Sequence, residues 1–427
     1  MILAVFLISI FTFLFLGIPV AFSILLTVLT MAEASGVTSY EIVPSYLYSG
    51  VNNFALLAIP FFVFCGDLMT AGDLSKGIVE FCRVLLGHVR AGIGYAAILA
   101  CMIFAALTGA AVVTISAIGG IMLPIMIKEG YDAADSTACV CAGSITGPII
   151  PPSLPMVIFG VLSGASVTRM FIGGVVPGVI TGLVCMLAWY FMNKNKNYAL
   201  KPKATPQEIW TAFKKAFPAL MMPVIMMGGI LSGIFTPTEA GVVACVYAWV
   251  VSTFLYKKMN MKTLKRVAIA SAKSTAVIML IVAACQALAM VITVARIPQA
   301  IAAAISAISS NPLVVMCLIN LFVLIVGLFM DVTPALTILT PIFLPIVVGI
   351  GMDPIVFGVT MVYGLCIGLI TPPVGNVLYI GIGISKITLL DLLKKIWPMV
   401  LLYVVVLFLM TLVPGLITFL PNLFAGG

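Results

Sequence analysis

The stretch GPIIPPSLP, residues 147–155, interrupts an apolar run that is otherwise long enough to cross a membrane. Proline lacks a backbone N–H and clashes with the preceding helical turn, which costs about 3 kcal/mol inside a helix. In lipid no water is available for the carbonyls that a break frees. The proline pair therefore predicts either a kink that serves packing or a broken helix whose free carbonyls bind a ligand.

The rest of the chain has the composition of a multi-pass membrane protein. Of its 427 residues, 63% are hydrophobic and only 8% are charged, whereas charged residues make up about 25% of typical soluble domains. Apolar runs of about 20 residues, the length needed to cross a bilayer, recur along the sequence. The first of them, residues 1–22, has no basic leader and no small-residue cleavage site, so we expect a retained helix rather than a signal peptide.

The double-proline stretch has a counterpart, GLITPPVGN, at residues 368–376. When Pro151 is moved onto Pro372, residues 121–160 overlay on 342–381 without a gap. The overlay also matches Pro124 with Pro345, Gly130 with Gly351, Asp132 with Asp353, Gly143 with Gly364, and Gly160 with Gly381. The chain is therefore expected to contain an internal duplication.

The basic residues predict the orientation of the two copies. Eleven of the 21 Lys and Arg residues lie in two short segments, 194–215 and 257–266. Positive loops remain in the cytoplasm, so the net charge of +8 reflects topology and not nucleic-acid binding. Counting crossings from these loops gives the copies opposite orientations and places both termini in the periplasm. The expected fold is therefore an all-α polytopic membrane protein with two inverted-topology repeats.

Each repeat is expected to contain scaffold helices, an arm helix, a re-entrant helical hairpin and a broken transmembrane helix. In the first repeat these are scaffold 1–50 and a moving part, 51–193, with arm 73–89, hairpin 90–127 and broken helix 131–165. A cytoplasmic basic loop, 194–213, follows. In the second repeat they are scaffold 214–266 and a moving part, 267–427, with arm 297–310, hairpin 311–350, broken helix 354–385 and a C-terminal helix. The arms also fit ordinary loop helices.

Inverted repeats with helices interrupted at the midplane are typical of secondary transporters. Unwound backbone offers carbonyl oxygens to a hard cation, and half-helix N-termini offer N–H groups to an anion. We therefore predict two sodium sites, one in each repeat. The first comprises Thr108, Gly109, Ala110, Ala111, Gly143, Thr146, Gly147 and Pro148. The second comprises Met330, Asp331, Thr333, Gly368, Thr371, Pro372 and Asn376. Hydrogen bonds to substrate are expected from Ser144, Ser153, Thr333 and Asn376.

Several of these side chains also fit structural roles. Asp331, three residues before Pro334, has the position of a helix N-cap as well as that of an ion ligand. Ser and Thr in membrane helices often bond back to their own carbonyls. Glu239 in FTPTEAG is expected at a helix start. The ten cysteines form no CxxC pair and His88 is the only histidine, which argues against a zinc or redox site.

The sequence also argues against several other functions. It contains no G-x-x-x-x-G-K-[ST] loop to drive transport with ATP. A single histidine leaves no His-based catalytic triad, so we expect a secondary transporter and not an enzyme. A channel is conceivable, but duplicated hairpins that face broken helices favour alternating access.

In this order, the motifs resemble the large membrane subunit of tripartite ATP-independent periplasmic (TRAP) transporters, of the DctM/SiaM type, within a wider ion-transporter superfamily. The resemblance covers essentially the full length. It rests on LAIPFFVFCGDLM (57–69), TGAAVVT (108–114), GPIIPPS (147–153), FTPTEAG (235–241), FMDVTPA (329–335) and ITPPVGNVL (370–378). The first hairpin tip departs from the family's SGSSVA-like pattern, because Thr108, Ala110 and Ala111 replace serines. Backbone carbonyls are then the expected ligands there.

The resemblance implies a sodium-coupled importer that works by an elevator motion in the bacterial inner membrane, with two or more coupling ions. A periplasmic binding protein would deliver a carboxylate substrate, such as sialic acid or a C4-dicarboxylate. A small four-helix membrane subunit would complete the scaffold. A stand-alone organic-anion symporter or exchanger of the same superfamily, which needs no binding protein, remains an alternative. So does a membrane scaffold without transport activity.

Overall fold

The computed structural model describes residues 2–36, 42–196, 198, 202–309 and 311–424. Within these ranges all regular elements are helices and no strand occurs. Eight of the described helices are long and apolar enough to cross a membrane, and further apolar helices of 10–17 residues accompany them. The expectation of an all-α multi-pass protein is therefore confirmed, while the face that lies in the cytoplasm stays a prediction.

The helices occur in the same order in the two halves of the chain. The first half contains α1 (Ile2–Phe15), α2 (Val20–Ala34), α3 (Ile42–Val51), α4 (Ala58–Ala71), α5 (Leu74–Leu86), α6 (Gly92–Thr108), α7 (Ala111–Thr114), α8 (Gly120–Lys128), α9 (Ala133–Ser144), α10 (Leu154–Ser163) and α11 (Val167–Asn193). A π-helical turn, Ile115–Gly119, joins α7 to α8, and a 3₁₀ turn, Phe54–Leu57, precedes α4.

The second half repeats this order from a new pair of scaffold helices. It contains α12 (Pro206–Leu231), α13 (Pro237–Val250), α14 (Met261–Val294), α15 (Ile297–Ser306), α16 (Pro312–Gly327), α17 (Val332–Gly349), α18 (Pro354–Gly368), α19 (Asn376–Ser385), α20 (Leu389–Leu412) and α21 (Gly415–Phe424). One difference is that α14 is continuous, whereas its counterpart in the first half is divided into α3 and α4.

The residues that the duplication matches have the same structural roles in both halves. Asp132 caps α9 by accepting a hydrogen bond from the backbone N–H of Asp135 at 2.9 Å, and Asp353 caps α18 through Ile355 at 2.8 Å. Gly130 and Gly351 follow α8 and α17 with φ of +85° and +74°, a conformation that other residues rarely adopt. The matches therefore mark helix boundaries.

Two predicted boundaries are wrong because helix caps lie inside the basic segments. The basic loop expected at 194–213 ends earlier, since Thr205 and Glu208 form a capping box that starts α12 at Pro206. The second basic segment, 257–266, is only partly a loop. Asn260 accepts a hydrogen bond from the N–H of Thr263 and starts α14 at Met261, inside the segment 214–266 that was expected to hold only scaffold helices.

The C-terminal region also differs from the expectation of one helix. Helix α20 ends at Leu412, and a second helix, α21, begins at Gly415 and lies against α11. Pro414 separates them, because the residue before a proline is disfavoured in helical conformation. Of the arm segments, 73–89 contains α5, and 297–310 contains α15, which ends at Ser306; position 310 lies outside the described residues.

Packing places some helices outside the groups to which the sequence assigned them. Helix α14 lies along α2 and α3, and α4 lies along α13 and α14. Both α4 and α14 had been expected in the moving parts. Both therefore pack mainly against predicted scaffold helices and against each other, while the division into moving and fixed parts stays a prediction.

A buried ion cluster joins the two halves on the side of the first basic loop. The Asp135 carboxylate is only 2% exposed and contacts the Lys196 ammonium and, at 3.0 Å, the Lys395 ammonium. A buried carboxylate is tolerated when it is paired in this way. Tyr131 and Tyr198 stack beside it with ring centroids 4.1 Å apart. The cluster ties the start of the broken helix α9–α10 to α20 of the other repeat.

Candidate functional site

Both broken helices are interrupted where the sequence predicts. Between α9 and α10 the chain leaves helical geometry over residues 145–153, and between α18 and α19 over 369–375. The Pro151–Pro152 and Pro372–Pro373 peptide bonds are both cis. The simple-kink alternative does not describe these segments, because no continuous helix passes through either proline pair.

The first hairpin tip lies in backbone contact with the first break. A Cβ placed on Gly147 would come within 2.8 Å of the carbonyl carbon and 2.9 Å of the carbonyl oxygen of Ala110. A Cβ on Gly109 would lie 2.6 Å from the carbonyl oxygen of Pro152. We call residues 108–111 with 143–153 the first crossing. Of the predicted first-site residues, Gly147 is therefore brought against Ala110 and Ala111, whereas a Cβ on Gly143 would face Cys101 of α6.

The side chains of the first crossing are occupied by their own backbone. Thr108 donates to the carbonyl of Phe104 at 3.2 Å, Thr146 to that of Gly143 at 2.7 Å, and Ser144 to that of Cys141 at 2.7 Å. Ser153 donates to the carbonyl of Pro148 and caps α10 through the N–H of Met156. These hydroxyls donate hydrogen bonds to nearby backbone carbonyls, as the structural alternative predicts. Ligands at the first crossing would therefore have to come from the backbone.

Several backbone carbonyls at the first crossing lack a donor. Among the described residues, no hydrogen bond reaches the carbonyls of Gly109, Gly147 or Pro152. Buried carbonyls are normally paired. The first crossing therefore contains buried carbonyl oxygens that are not used by the protein's own donors, which is the type of ligand that a hard cation prefers.

Helix α11 forms the back wall of the first crossing, a feature that the sequence analysis missed. A Cβ on Gly174 would lie 2.5 Å from the carbonyl oxygen of Ile149, and one on Gly178 would lie 3.3 Å from the backbone of Ile150. Glycines four residues apart allow helices to approach closely in membranes. The spacing of Gly174 and Gly178 is the signal that could have revealed this contact.

The second hairpin meets the second break one turn earlier than predicted. A Cβ on Gly368 would lie 2.1 Å from the carbonyl oxygen of Gly327, and the N–H of Val374 donates to the carbonyl of Leu328 at 3.2 Å. The sequence placed this contact at 330–333. We call residues 327–333 with 364–376 the second crossing.

Side chains at the second crossing are more accessible than those at the first. Asp331 is exposed and caps α17, accepting a hydrogen bond from the N–H of Val332 at 2.7 Å, so the N-cap role is observed. Thr371 donates to the carbonyl of Ile367 at 2.6 Å. Met330, Pro372, Thr333 and Asn376 are half-buried. No hydrogen bond joins Thr333 or Asn376 side chains to another described residue, which leaves both available to a ligand.

Charged groups are nearly absent from both crossings. Arg90 donates to the carbonyl of Lys196, Lys128 ends α8, and Arg296 precedes α15, so all three lie at helix ends. Within the described ranges no three His, Cys, Asp or Glu residues form a group that could hold a metal ion. Carbonyl-rich surroundings instead suit a hard alkali cation.

Solved structures contain a similar fold. The YdaH transporter of Alcanivorax borkumensis, whose crystal structure was described as revealing an unusual topology, aligns with a TM-score of 0.62 over 88% of this chain and 90% of its own. The two sequences are 15% identical. At that identity the likeness concerns the fold alone.

Several other proteins have sequences that are much more similar to this chain. The 2,3-diketo-L-gulonate TRAP transporter large permease protein YiaN of Escherichia coli is 40% identical over 94% of this chain and 95% of its own length. The C4-dicarboxylate TRAP transporter large permease protein DctM of Pseudomonas aeruginosa is 37% identical over 88% of each. The sialic acid TRAP transporter large permease protein SiaM of Vibrio cholerae is 33% identical over 97% of each.

The profile of one family covers nearly the whole chain. It is described as the tripartite ATP-independent periplasmic transporter, DctM component, and it matches residues 7–416. This range includes both hairpins and both broken helices. The chain belongs to the DctM family of tripartite ATP-independent periplasmic transporters, as a large permease subunit and not an enzyme.

Proposed function

We propose that this subunit imports an organic acid anion across the bacterial inner membrane by sodium symport. The three relatives named above carry 2,3-diketo-L-gulonate, C4-dicarboxylates and sialic acid in their names, and all three substrates are carboxylates. The observation that carries the sodium coupling is the set of unpaired carbonyls at the first crossing, on Gly109, Gly147 and Pro152.

Each crossing would hold one sodium ion. At the first, a dehydrated ion would be bound by backbone carbonyls, because Ala110 and Ala111 offer no side-chain oxygen. At the second, the Asp331 carboxylate and the carbonyls near Thr371 and Pro372 would contribute. Sodium ligands are oxygens, and carbonyls are sufficient when several converge. Two or more ions per cycle follow from one site in each repeat.

The substrate anion would lie near the second crossing. An unpaired negative charge at the midplane is costly, and no Lys or Arg lies at either crossing. The bound sodium ions and the N-terminus of α19 would neutralise it. Asn376 is the first residue of α19 and Thr333 lies in the first turn of α17, so both would orient the carboxylate. This arrangement makes sodium obligatory for uptake.

The transport step would be an elevator motion of the hairpins and broken helices against a fixed scaffold. Following the packing, the fixed part would comprise α1–α4 and α12–α14. A Cβ on Gly66 of α4 would lie 3.7 Å from the Cβ of Thr108 in the first hairpin, a separation that suits a disulfide. A Gly66→Cys, Thr108→Cys pair should therefore arrest uptake on oxidation, and reduction should restore it.

A matched pair within the proposed fixed part is the control for this motion. A Cβ on Gly241 of α13 would lie 3.0 Å from the Cβ of Phe61 in α4. The Gly241→Cys, Phe61→Cys protein should transport equally well when oxidised or reduced. Full turnover of the oxidised Gly66→Cys, Thr108→Cys protein would show that α4 and the hairpin move together, and the assignment of α4 to the fixed part would be wrong.

The subunit would act with a periplasmic substrate-binding protein and a small four-helix membrane subunit. The family description itself names a tripartite transporter. The test is uptake of candidate carboxylates into proteoliposomes that contain this chain and both partners, with a sodium gradient compared with a potassium gradient. We expect uptake only with sodium. Equal uptake after omission of the binding protein would favour the stand-alone symporter instead.

A further inference from the structure

A basic pocket lies between the first arm helix, α5, and the scaffold helix α12. It encloses about 490 Å³, and its walls include Arg83, His88, Lys203 and Lys215. The pocket includes part of the first basic loop, and none of its lining residues belongs to either crossing. Nothing in the proposed transport cycle uses it.

The polar groups of this basic pocket are incompletely paired. The Nε of Arg83 and the Nδ1 of His88 are buried without a hydrogen-bond partner among the described residues. Neither Lys203 nor Lys215 has a carboxylate oxygen within 4 Å in the described ranges. Unpaired buried polar groups are unfavourable. The two buried nitrogens are closed to solvent, so the exposed ammonium groups of Lys203 and Lys215 are the donors that a bound oxyanion would contact.

The acidic residues of the pocket wall do not cancel this charge. Glu208 is engaged in the capping box, accepting from the backbone N–H of Thr205 at 2.7 Å and from its hydroxyl at 2.9 Å. Glu80 lies 3.4 Å from Arg83. Arg83 also lies 3.4 Å from Glu129, so its charge is compensated. The exposed Lys203 and Lys215 outnumber the remaining carboxylate, Glu208, and give the pocket its excess positive charge.

An aromatic strip continues from the pocket along α12. Trp210 and Phe213 stack with centroids 5.6 Å apart, and Phe81 of α5 lies 5.7 Å from Phe213. Trp210 is 56% exposed, and the Lys214 ammonium lies 5.3 Å from its ring centroid. Exposed Trp beside Lys is typical of the depth at which lipid headgroups meet acyl chains. A second cavity, lined by Lys203, Trp210 and Phe213, connects this strip to the basic pocket.

We propose that the basic pocket and aromatic strip together bind one anionic glycerophospholipid. The phosphodiester would be held by Lys203 and Lys215, and an acyl chain would lie along Phe81, Trp210 and Phe213. Basic pockets between membrane helices on the cytoplasmic side bind lipid headgroups in this manner. The proposal does not depend on sodium coupling.

The test is native mass spectrometry of the full purified chain, titrated in detergent with phosphatidylglycerol and, separately, with phosphatidylcholine. We expect the Lys203→Ala, Lys215→Ala protein to bind phosphatidylglycerol about 30-fold more weakly than the unaltered chain, at about 1 kcal/mol per lysine. The matched control is Lys262→Ala, Lys265→Ala, which removes the same charge from exposed positions of α14 outside the pocket. It should bind within threefold of the unaltered chain.

Other outcomes would overturn the proposal. Equal losses in both double variants would mean that the lipid responds only to net charge. Displacement by soluble glycerophosphoglycerol at equal concentration would assign the pocket to free phosphate esters. Trp210→Ala keeps every charge and should weaken phosphatidylglycerol binding about threefold. Unchanged binding would show that no acyl chain lies along the aromatic strip. Thermal unfolding of each variant confirms that it is folded.

Discussion

At the first crossing a hairpin tip meets a broken helix backbone to backbone, in the protein interior and without a charged side chain. At the second, the equivalent elements meet one turn earlier along the hairpin. Two polar side chains are accessible there: Asp331, which is exposed and caps α17, and Asn376, which is half-buried. The duplication has therefore kept the interrupted backbone and changed the side chains around it. This difference is the basis of our proposal that the first crossing binds only a cation and the second a cation beside the substrate.

The largest loss of uptake is expected from a substitution at Gly147, where the backbone of the first break contacts the backbone of the hairpin tip. In Gly147→Ala the new Cβ would lie 2.8 Å from the carbonyl carbon of Ala110, and backbone cannot move aside as a flexible side chain can. We expect sodium-driven uptake to fall at least about 100-fold, since misplacement of ligands by 1 Å has effects of that order. Gly120→Ala, with no atom within 4 Å of the new Cβ, is the control and should transport normally. Normal uptake by Gly147→Ala would refute the close contact.

Two substitutions of Asp331 distinguish its helix-capping role from the proposed role as a sodium ligand. Asp331→Asn keeps an oxygen for the N–H of Val332 but removes the negative charge, so the half-saturating sodium concentration should rise about 30-fold, consistent with a hydrogen-bonding or ionic contribution of about 2 kcal/mol. Asp331→Ala should show the same rise and also lower thermal stability, because the cap is lost. Unchanged sodium dependence in Asp331→Asn would leave Asp331 with the capping role alone.

The next smaller effect is expected from Asn376 and Ser153, two of the four predicted substrate contacts, which lie at opposite crossings. Asn376→Ala should raise the KM for the carboxylate about tenfold, equivalent to about 1.4 kcal/mol, and leave sodium binding intact. Ser153→Ala should leave KM unchanged and lower the free energy of unfolding by about 1 kcal/mol, because this hydroxyl caps α10. If the two variants exchange these behaviours, the substrate lies at the first crossing.

The smallest effect is expected from Thr146→Val. Its hydroxyl bonds back to the carbonyl of Gly143 at 2.7 Å, and the duplication places the apolar Ile367 at the equivalent position of the second repeat. We therefore expect sodium-dependent uptake within about twofold of the unaltered protein. A tenfold or greater rise in the half-saturating sodium concentration would instead show that this hydroxyl is an ion ligand.

Much of the fold could be predicted because proline pairs, matched glycines and basic loops each have a strong local cause. The breaks at Pro151–Pro152 and Pro372–Pro373 lie where the sequence placed them. The start of α12 at Pro206 could also have been predicted, since Thr205 and Glu208 have capping-box spacing, but the high local charge there favoured a loop. Local sequence patterns thus predicted where the two helices break. They also contained the start of α12, but its capping box was given less weight than the charge around it.

The contacts between distant elements could not be predicted from local patterns. The approach of Gly147 to Ala110, the position of Gly327 against Gly368 and the burial of Asp135 beside Lys196 and Lys395 all depend on tertiary packing. The sequence predicted the N-cap role of Asp331, which is observed, but did not reveal its exposure, and its role as an ion ligand stays a prediction. Side-chain availability, which decides between structural and ligand roles, appeared only with the assembled fold.

The central claim, one sodium ion at each crossing, is tested most directly by counting radioactive sodium bound per purified chain at saturation. The count should be two in the unaltered protein, and it should fall to one in Gly147→Ala and to one in Asp331→Asn at the same sodium concentration. Both variants should first be shown to be folded by thermal unfolding. A count of zero in the unaltered protein, or of two in both variants, would contradict the account.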